Sequence, residues 1–213
     1  MHYQHAGEEA GARERLLQAA FEVFAELGFK ETTVRDICSR ANVNLAAVNY
    51  YFGSKQGLYE EVCRYSCGAA GEFPPVFPID EKAPPADKLA RFVHQFMGTV
   101  MLHGSSSLQG KIMAREMVEP TPAIKIIVKE IIRPRQEQLS SIIREILGGT
   151  PDEALVRRCC FSIVGQCLYY RFARVVAMEL QPGLVFDEQA VGAIAQHITF
   201  FTLQALRGFA REA

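Results

Sequence analysis

Residues 32–55 read TTVRDICSRANVNLAAVNYYFGSK, and the rest of the chain is organised around this stretch. Thr33 and Asp36 have the spacing of a capping box, which marks the start of a helix. Asn42-Val43-Asn44 is a turn sequence, because asparagine tolerates left-handed and side-chain-capped backbone. Asn44 can then cap a second short helix over 45–51. Two short helices joined by such a turn predict a helix-turn-helix, whose second helix enters the major groove of DNA.

The same stretch resembles the DNA-binding half of the TetR/AcrR family of bacterial transcription regulators. That family's sequence runs roughly T-x-x-x-I-A-x-x-A-G-V-S and then Y-x-H-F-x-S-K-x-x-L. The matching residues here are Thr33, Ile37, Ala41, Val43, Phe52, Ser54, Lys55 and Leu58. The departures are Cys38, Asn42, Asn44, Asn49 and Tyr51. The run 44–59, NLAAVNYYFGSKQGLY, is similar to the CecR-like branch of the family.

The resemblance implies an all-α protein with an N-terminal three-helix helix-turn-helix domain and a larger C-terminal helical domain for ligand binding and dimerisation. We expect the helix-turn-helix domain at 11–53, a connector helix at 54–71, and the ligand-binding and dimerisation domain at 72–213. Residues 72–86 support a boundary, since they hold five of the ten prolines and no regular helix can cross them. No stretch alternates like a β-strand.

The charge and composition of the chain exclude fewer classes of function than the motif does. The chain of 213 residues has a formal net charge of −1, and residues 1–71 carry seven Lys and Arg against nine Asp and Glu. Any DNA binding must therefore come from locally placed groups rather than from an overall basic charge. The sequence shows no signal-peptide pattern, and its longest nearly apolar run, 159–170, is too short to span a bilayer. We expect a cytoplasmic bacterial protein with no membrane partner.

The DNA contacts are carried over from the resemblance. Small Ala46 and Ala47 allow close approach to base edges, and Asn49 has the amide that pairs bidentately with adenine. The tyrosines, Thr32 and Lys55 fit phosphate contacts better. The alternative is a generic helical hairpin with a polar surface. The expected DNA-binding residues are Thr32, Thr33, Arg35, Asn44, Ala46, Ala47, Asn49, Tyr50, Tyr51 and Lys55.

The resemblance also implies an inducer cavity in the C-terminal domain, and small-ligand sites are mostly apolar with a few polar anchors. The alternative is that these residues belong to the ordinary core, because methionine and aromatic residues at helical spacing usually do. The candidate lining residues are Phe96, Met97, Met101, His103, Met113, Arg115, Glu116, Met117, Gln166, Tyr169 and Tyr170.

Two helical patterns near the end of the chain, 152–180 and 187–211, are apolar on more than one face. A helix of this kind must be buried on both sides. One side can pack on the protein's own core and the other on a second copy, as in the paired four-helix interface that the resemblance implies. The residues expected in this homodimer interface are Ile163, Phe172, Ile194, Ile198, Phe201 and Ala205.

Enzymatic motifs are missing from the sequence. Ser105-Ser106-Ser107 beside His103 does not make a catalytic triad, so no catalytic residue is expected. Six cysteines without a C-x-x-C pair indicate buried reduced thiols, and we expect neither a metal site nor a cofactor. The sequence thus predicts a dimeric repressor that binds a palindromic operator and is released by a small molecule. An activator or corepressor-dependent regulator, and a helical carrier or enzyme, remain alternatives.

Overall fold

The computed structural model of the chain describes residues 2–68, 74–103 and 107–212, with side chains described for 11–67, 74–102 and 107–210. Every regular element in these ranges is helical, which confirms the predicted all-α class. The α-helices are α1 His2–Glu31, α2 Val34–Ala41, α3 Ala46–Phe52, α4 Lys55–Gly68, α5 Pro85–Gly98, α6 Leu108–Val118, α7 Ile124–Ile127, α8 Arg133–Leu147, α9 Glu153–Phe172, α10 Arg174–Leu180 and α11 Glu188–Glu212.

The chain folds into two compact units. One contains the described residues of Met1–Gly71 and Ser106–Glu130, and the other those of Glu72–Ser105 and Ile131–Ala213. The last residues of the predicted connector helix, 69–71, lie outside the described residues. No helix in the described part of the chain is long and apolar enough to cross a membrane.

Residues with special backbone or capping properties set the corners between the first helices. Gly28 has a positive φ of 84°, so the backbone turns there before α1 ends. Thr33 and Asp36 form the predicted capping box at the start of α2. Asn42 ends α2 in a left-handed conformation with φ 53°. Each of these corners is encoded within four residues, which is why the sequence predicts them.

The first unit has a core shared by α1, α2, α3 and α4. Phe24 of α1 packs edge-on against Tyr59 of α4, with ring centroids 4.8 Å apart. Ile37 of α2 and Val48 of α3 are fully buried. This packing of α2 and α3 on α1 and α4 fixes the orientation of the helix-turn-helix.

Helix α6 belongs to this first unit, although the sequence analysis placed it in the domain from residue 72 onward. The Arg115 guanidinium donates to the Glu26 carbonyl at 2.7 Å, near the end of α1. The Tyr59 hydroxyl donates to the buried Glu116 carboxylate at 2.9 Å. Lys30 and Glu119 form an ion pair at 2.8 Å. These partners are far apart in sequence, so helical periodicity alone does not reveal them.

The second unit is built from α5, α8, α9, α10 and α11. Its buried cluster includes Leu89 and Phe92 of α5, Leu139 of α8, Cys160 of α9 and Ile198 of α11. A π-helical turn, Thr99–His103, extends α5, and another, Val128–Ile132, precedes α8. The helix predicted over 152–180 is interrupted at Ala173, which separates α9 from α10.

Candidate nucleic-acid interface

One face of α3 is buried and the opposite face is open to solvent. Val48 is fully buried in the first unit. Ala46, Asn49 and Tyr50 are exposed, and Tyr50 is 72% exposed. The 3.6-residue period of the helix places these exposed side chains on one continuous face. The second helix of the helix-turn-helix therefore presents an amide, a phenol and a small residue outward.

Leu45 shares this exposed face, and sequence reasoning missed it. An apolar residue at the start of an amphipathic helix is naturally assigned to the core, yet nearly half of Leu45 is exposed. A helical wheel would have placed it beside Asn49, one turn further along. The open face of α3 thus includes an apolar group as well as polar ones.

Two of the predicted contact residues hold the helices in place. The Asn44 side-chain oxygen accepts a hydrogen bond from the Ala46 backbone N–H at 2.9 Å, which caps α3. The Thr33 hydroxyl accepts from the Asp36 backbone N–H and donates to the Asp36 carboxylate. The Thr33 backbone N–H also donates to the Asp36 carboxylate, and the hydrogen bonds that this carboxylate accepts from the Thr33 hydroxyl and N–H lower the pKa of Asp36. Both side chains orient α2 and α3, whatever else they contact.

Thr32 lies inside the protein, contrary to the predicted phosphate contact. Only 1% of Thr32 is exposed. Its hydroxyl donates to the Gly28 carbonyl at 2.7 Å, and the Thr32 backbone N–H donates to the same carbonyl at 3.3 Å. The side chain therefore stabilises the corner between α1 and α2 and has no surface to offer to DNA.

The Lys55 ammonium group, predicted to contact a phosphate, has partners within the protein. Its ammonium group lies 4.6 Å from the centroid of the Phe29 ring and donates to the Lys30 carbonyl at 3.3 Å. Burial lowers the pKa of Lys55, with Glu31 acting in the opposite direction. The positive charge is thus directed toward the end of α1 in this structure.

The remaining predicted contacts are more open. Arg35 is exposed on α2, whereas Arg40 in the same helix pairs with Glu26 at 3.1 Å. Tyr51 is half-buried and packs edge-on against Tyr50, with ring centroids 4.8 Å apart. Tyr51 therefore limits the positions that the Tyr50 ring can take.

The predicted ligand-binding residues fall in different compact units. Met113, Arg115, Glu116 and Met117 lie on α6 in the first unit, where Glu116 also accepts hydrogen bonds from Thr121. In the second unit, Phe96, Met97 and Met101 are part of the buried hydrophobic cluster, and Tyr170 packs against it. The Gln166 amide donates to the Ser162 carbonyl, and Tyr169 is exposed. The side chain of His103 lies outside the described residues.

The predicted dimer residues separate into two groups. Ile163 and Ile198 are 1% exposed and belong to the core of the second unit, which corrects their assignment to an interface. Ile194 is half-buried. Phe172, Phe201 and Ala205 are exposed, as are Phe161 of α9 and Phe200 of α11. A helix that is apolar all round has an inner and an outer face, and hydrophobicity does not distinguish them.

Metal binding finds no support in the described side chains, among which no group of three His, Cys, Asp or Glu is placed to hold an ion. Burial raises the pKa of Cys63 and of Cys167 to about 12. Such thiols stay protonated at neutral pH and are poor nucleophiles.

Two protein families match the chain. Bacterial regulatory proteins of the tetR family match residues 16–62, the part that contains the helix-turn-helix. The C-terminal domain of the HTH-type transcriptional dual regulator CecR matches residues 85–206. Together they cover most of the chain and describe transcription regulators rather than enzymes.

Individual relatives agree with this assignment. The CecR regulator of Shigella flexneri is 25% identical over 212 residues, covering 95% of this chain and 94% of that protein. The transcriptional repressor KstR2 of Mycolicibacterium smegmatis is 44% identical over 55 residues, or 26% of this chain and 27% of that protein. The regulator FadR of Bacillus subtilis, solved in complex with stearoyl-CoA, has a similar fold. Its TM-score is 0.62 at 18% identity, covering 89% of this chain and 97% of that one.

Proposed function

The chain belongs to the bacterial tetR family of DNA-binding transcription regulators, with a CecR-type C-terminal domain, and from this membership we propose that it is a ligand-responsive repressor of a palindromic operator. The observation that carries the proposal is the open face of α3, which presents Ala46, Asn49 and Tyr50 to solvent. A cytoplasmic location follows from the proposed target, which is the bacterial chromosome.

The proposed DNA contacts divide between bases and backbone. Asn49 is exposed and has both a donor and an acceptor, which is the requirement for bidentate pairing with adenine. Ala46 leaves room for the helix to approach the base edges. Exposed Arg35 and Tyr50 fit phosphate contacts, which fix the register of the protein without reading sequence.

The proposed dimer uses the outer faces of α9 and α11. These faces expose large aromatic side chains, including Phe161 and Phe172 on α9 and Phe200 and Phe201 on α11. Exposed apolar surface on this scale is typical of protein–protein interfaces. Two copies paired there would carry two α3 helices, and a palindromic operator requires these about 34–36 Å apart, or one turn of DNA.

The proposed effector is a small, mostly apolar molecule that binds the second unit. FadR, which has the same fold, binds stearoyl-CoA, and the second unit here is rich in apolar and aromatic side chains. The effector releases the operator only if it binds the DNA-free conformation more tightly than the DNA-bound one. We propose that this conformational difference changes the spacing of the two α3 helices.

An activator or a corepressor-dependent regulator is the second candidate. CecR is described as a dual regulator, which supports this second candidate, whereas KstR2 is described as a repressor, which supports the first. The two functions differ in whether a small molecule lowers or raises the affinity for the operator. A small molecule weakens operator binding by a ligand-released repressor and strengthens it for a corepressor-dependent regulator.

The test of the proposed function is a selection of random duplex DNA by the purified protein at about 0.1–0.2 M salt, where nonspecific binding is weakened. We expect an enriched palindrome with half-sites about one turn apart. No enriched sequence from a folded protein would contradict the proposal. Recovery of a single, unrepeated half-site would contradict the dimer while keeping the DNA-reading function.

Tyr50→Ala then tests the recognition face. We expect a loss of operator affinity of about 1–3 kcal/mol, because Tyr50 is the most exposed large side chain of α3. Val118→Ala, another strongly exposed residue of the same unit, is the matched control and should bind normally. Equal binding by the two variants would remove Tyr50 from the interface.

A further inference from the structure

Leu45 is an apolar side chain on the same open face of α3 as the polar residues that we propose to read DNA. It is 47% exposed. Its backbone is helical, with φ −53° and ψ −35°, so it continues the geometry of α3 by one residue. Asn49 follows one turn later, and residues at this spacing have Cβ atoms about 5–6 Å apart. Leu45 and Asn49 are therefore neighbours on one surface.

Exposure of a leucine is not evidence of a site by itself, because isolated surface leucines are common. Leu27 on α1 is exposed to the same extent, at 46%. Leu45 differs from Leu27 in its surroundings. Ala46 next to it is small, so the backbone at Leu45 can come close to the edges of DNA bases. Asn44 caps this end of α3 and so fixes its position. The position of Leu45 is thus both accessible and rigidly held.

We propose that Leu45 contacts the C5-methyl group of a thymine in the major groove and so specifies one base pair in each operator half-site. A leucine side chain has no hydrogen-bonding group, which excludes phosphate oxygens and polar base edges as its partners. The thymine methyl is the apolar group that the major groove displays. The inference rests on the proposed function, and it adds a specificity residue to it.

The geometry also predicts where this thymine lies. One turn of α-helix advances about 5.4 Å, and one base pair about 3.4 Å. The thymine read by Leu45 should therefore lie one or two base pairs from the adenine that we propose Asn49 reads. Leu45 and Asn49 together would select a short A·T-containing element within each half-site.

The test replaces thymine by deoxyuridine, which lacks only the methyl group. The selected operator is synthesised with this replacement at one thymine position at a time, in both half-sites, and binding is measured by fluorescence anisotropy. For the wild-type protein we expect one position whose replacement weakens binding about fourfold per half-site, the value for one buried methyl group, or about 15-fold for both. The same replacement should have no effect on Leu45→Ala.

Leu27→Ala is the control, since it removes an equally exposed leucine from the same unit and should keep the wild-type response to deoxyuridine. Two results would overturn the inference while leaving the proposed function intact. One is a wild-type protein whose operator affinity no deoxyuridine replacement changes. The other is a Leu45→Ala protein that loses as much affinity on the replacement as the wild-type protein does. The first requires no variant and so does not depend on folding. If the selection itself enriches no sequence, the proposed function fails and the inference fails with it.

Discussion

Lys55 carries a positive charge directly after the helix that we propose reads DNA, yet its side chain has partners within the protein. The ammonium group contacts the Phe29 ring and the Lys30 carbonyl, both at the end of α1. A carbonyl at a helix end lacks an intrahelical donor, and a lysine can supply one. Lys55 therefore ties the end of α1 to the start of α4, on either side of α2 and α3.

Replacing Lys55 should consequently affect stability. We expect Lys55→Ala to lower the free energy of unfolding by about 1–2 kcal/mol, the combined size of one hydrogen bond and one partly exposed cation–π contact. Urea denaturation of the isolated protein measures this directly. Lys111→Ala, at an exposed lysine of the same unit, is the control. Unchanged unfolding together with lost operator binding would instead identify Lys55 as a phosphate ligand.

At this scale the sequence predicted which residues belong to the helix-turn-helix but not the direction of every side chain. The family resemblance implied DNA contacts for Thr32, Asn49 and Lys55. It did not show that the Thr32 side chain turns inward and donates to the Gly28 carbonyl. The sequence analysis assigned no role to Leu45, which the structure exposes on the same face of α3 as Asn49.

At the scale of single elements, the capping box makes α2 a helix with a defined start. Thr33 and Asp36 exchange hydrogen bonds between side chains and backbone, and these bonds satisfy N–H groups that an uncapped helix leaves open. The position of α3 depends on this start, because only a short turn follows α2. A change at Thr33 should therefore reach the recognition helix.

We expect Thr33→Ala to destabilise the protein by about 1 kcal/mol at neutral pH, the usual cost of losing an N-cap. Ser39→Ala, at an exposed serine within α2, is the matched control. The cost should shrink in acid. The Thr33 hydrogen bonds hold the pKa of Asp36 below its ordinary value, so their stabilising effect is present at neutral pH and is lost as pH falls through that lowered pKa. A cost independent of pH would show that Asp36 takes no part.

The helix ends were predictable because their signals are local, whereas the placement of α6 was not. Its hydrogen bonds join Glu116 to Tyr59 and Arg115 to the Glu26 carbonyl, across long stretches of sequence. Apolar periodicity shows that a helix has a buried face but not which partner covers it. Assigning α6 to the domain that follows it in sequence was the natural inference, and the contacts place it with the first unit.

At the scale of the whole molecule, the inner and outer faces of α11 should have different effects when altered. The inner face, with Val191, Ala195, Ile198 and Leu206, is buried in the core of the second unit. The outer face exposes Phe200 and Phe201. The sequence predicted that this helix is apolar on more than one face, and the structure shows which residues occupy each.

Phe201→Glu and Ile198→Glu separate the two faces experimentally. Phe201 is 58% exposed, so a carboxylate there is tolerated by the monomer but is desolvated in a dimer that buries this face. We expect Phe201→Glu to give a folded monomer by light scattering and circular dichroism, with much weaker binding to a palindromic operator. Ile198→Glu places a charge in the core of each chain and should unfold the second unit.

Val118→Glu completes the comparison, because it adds the same charge at an exposed apolar residue of the first unit, outside the helices α9 and α11 that form the proposed interface. It should remain a dimer with normal stability. A dimeric Phe201→Glu protein would show that the outer face of α11 is not what joins two copies. A folded Ile198→Glu monomer would show that its inner face contributes to the interface, as the sequence alone had suggested.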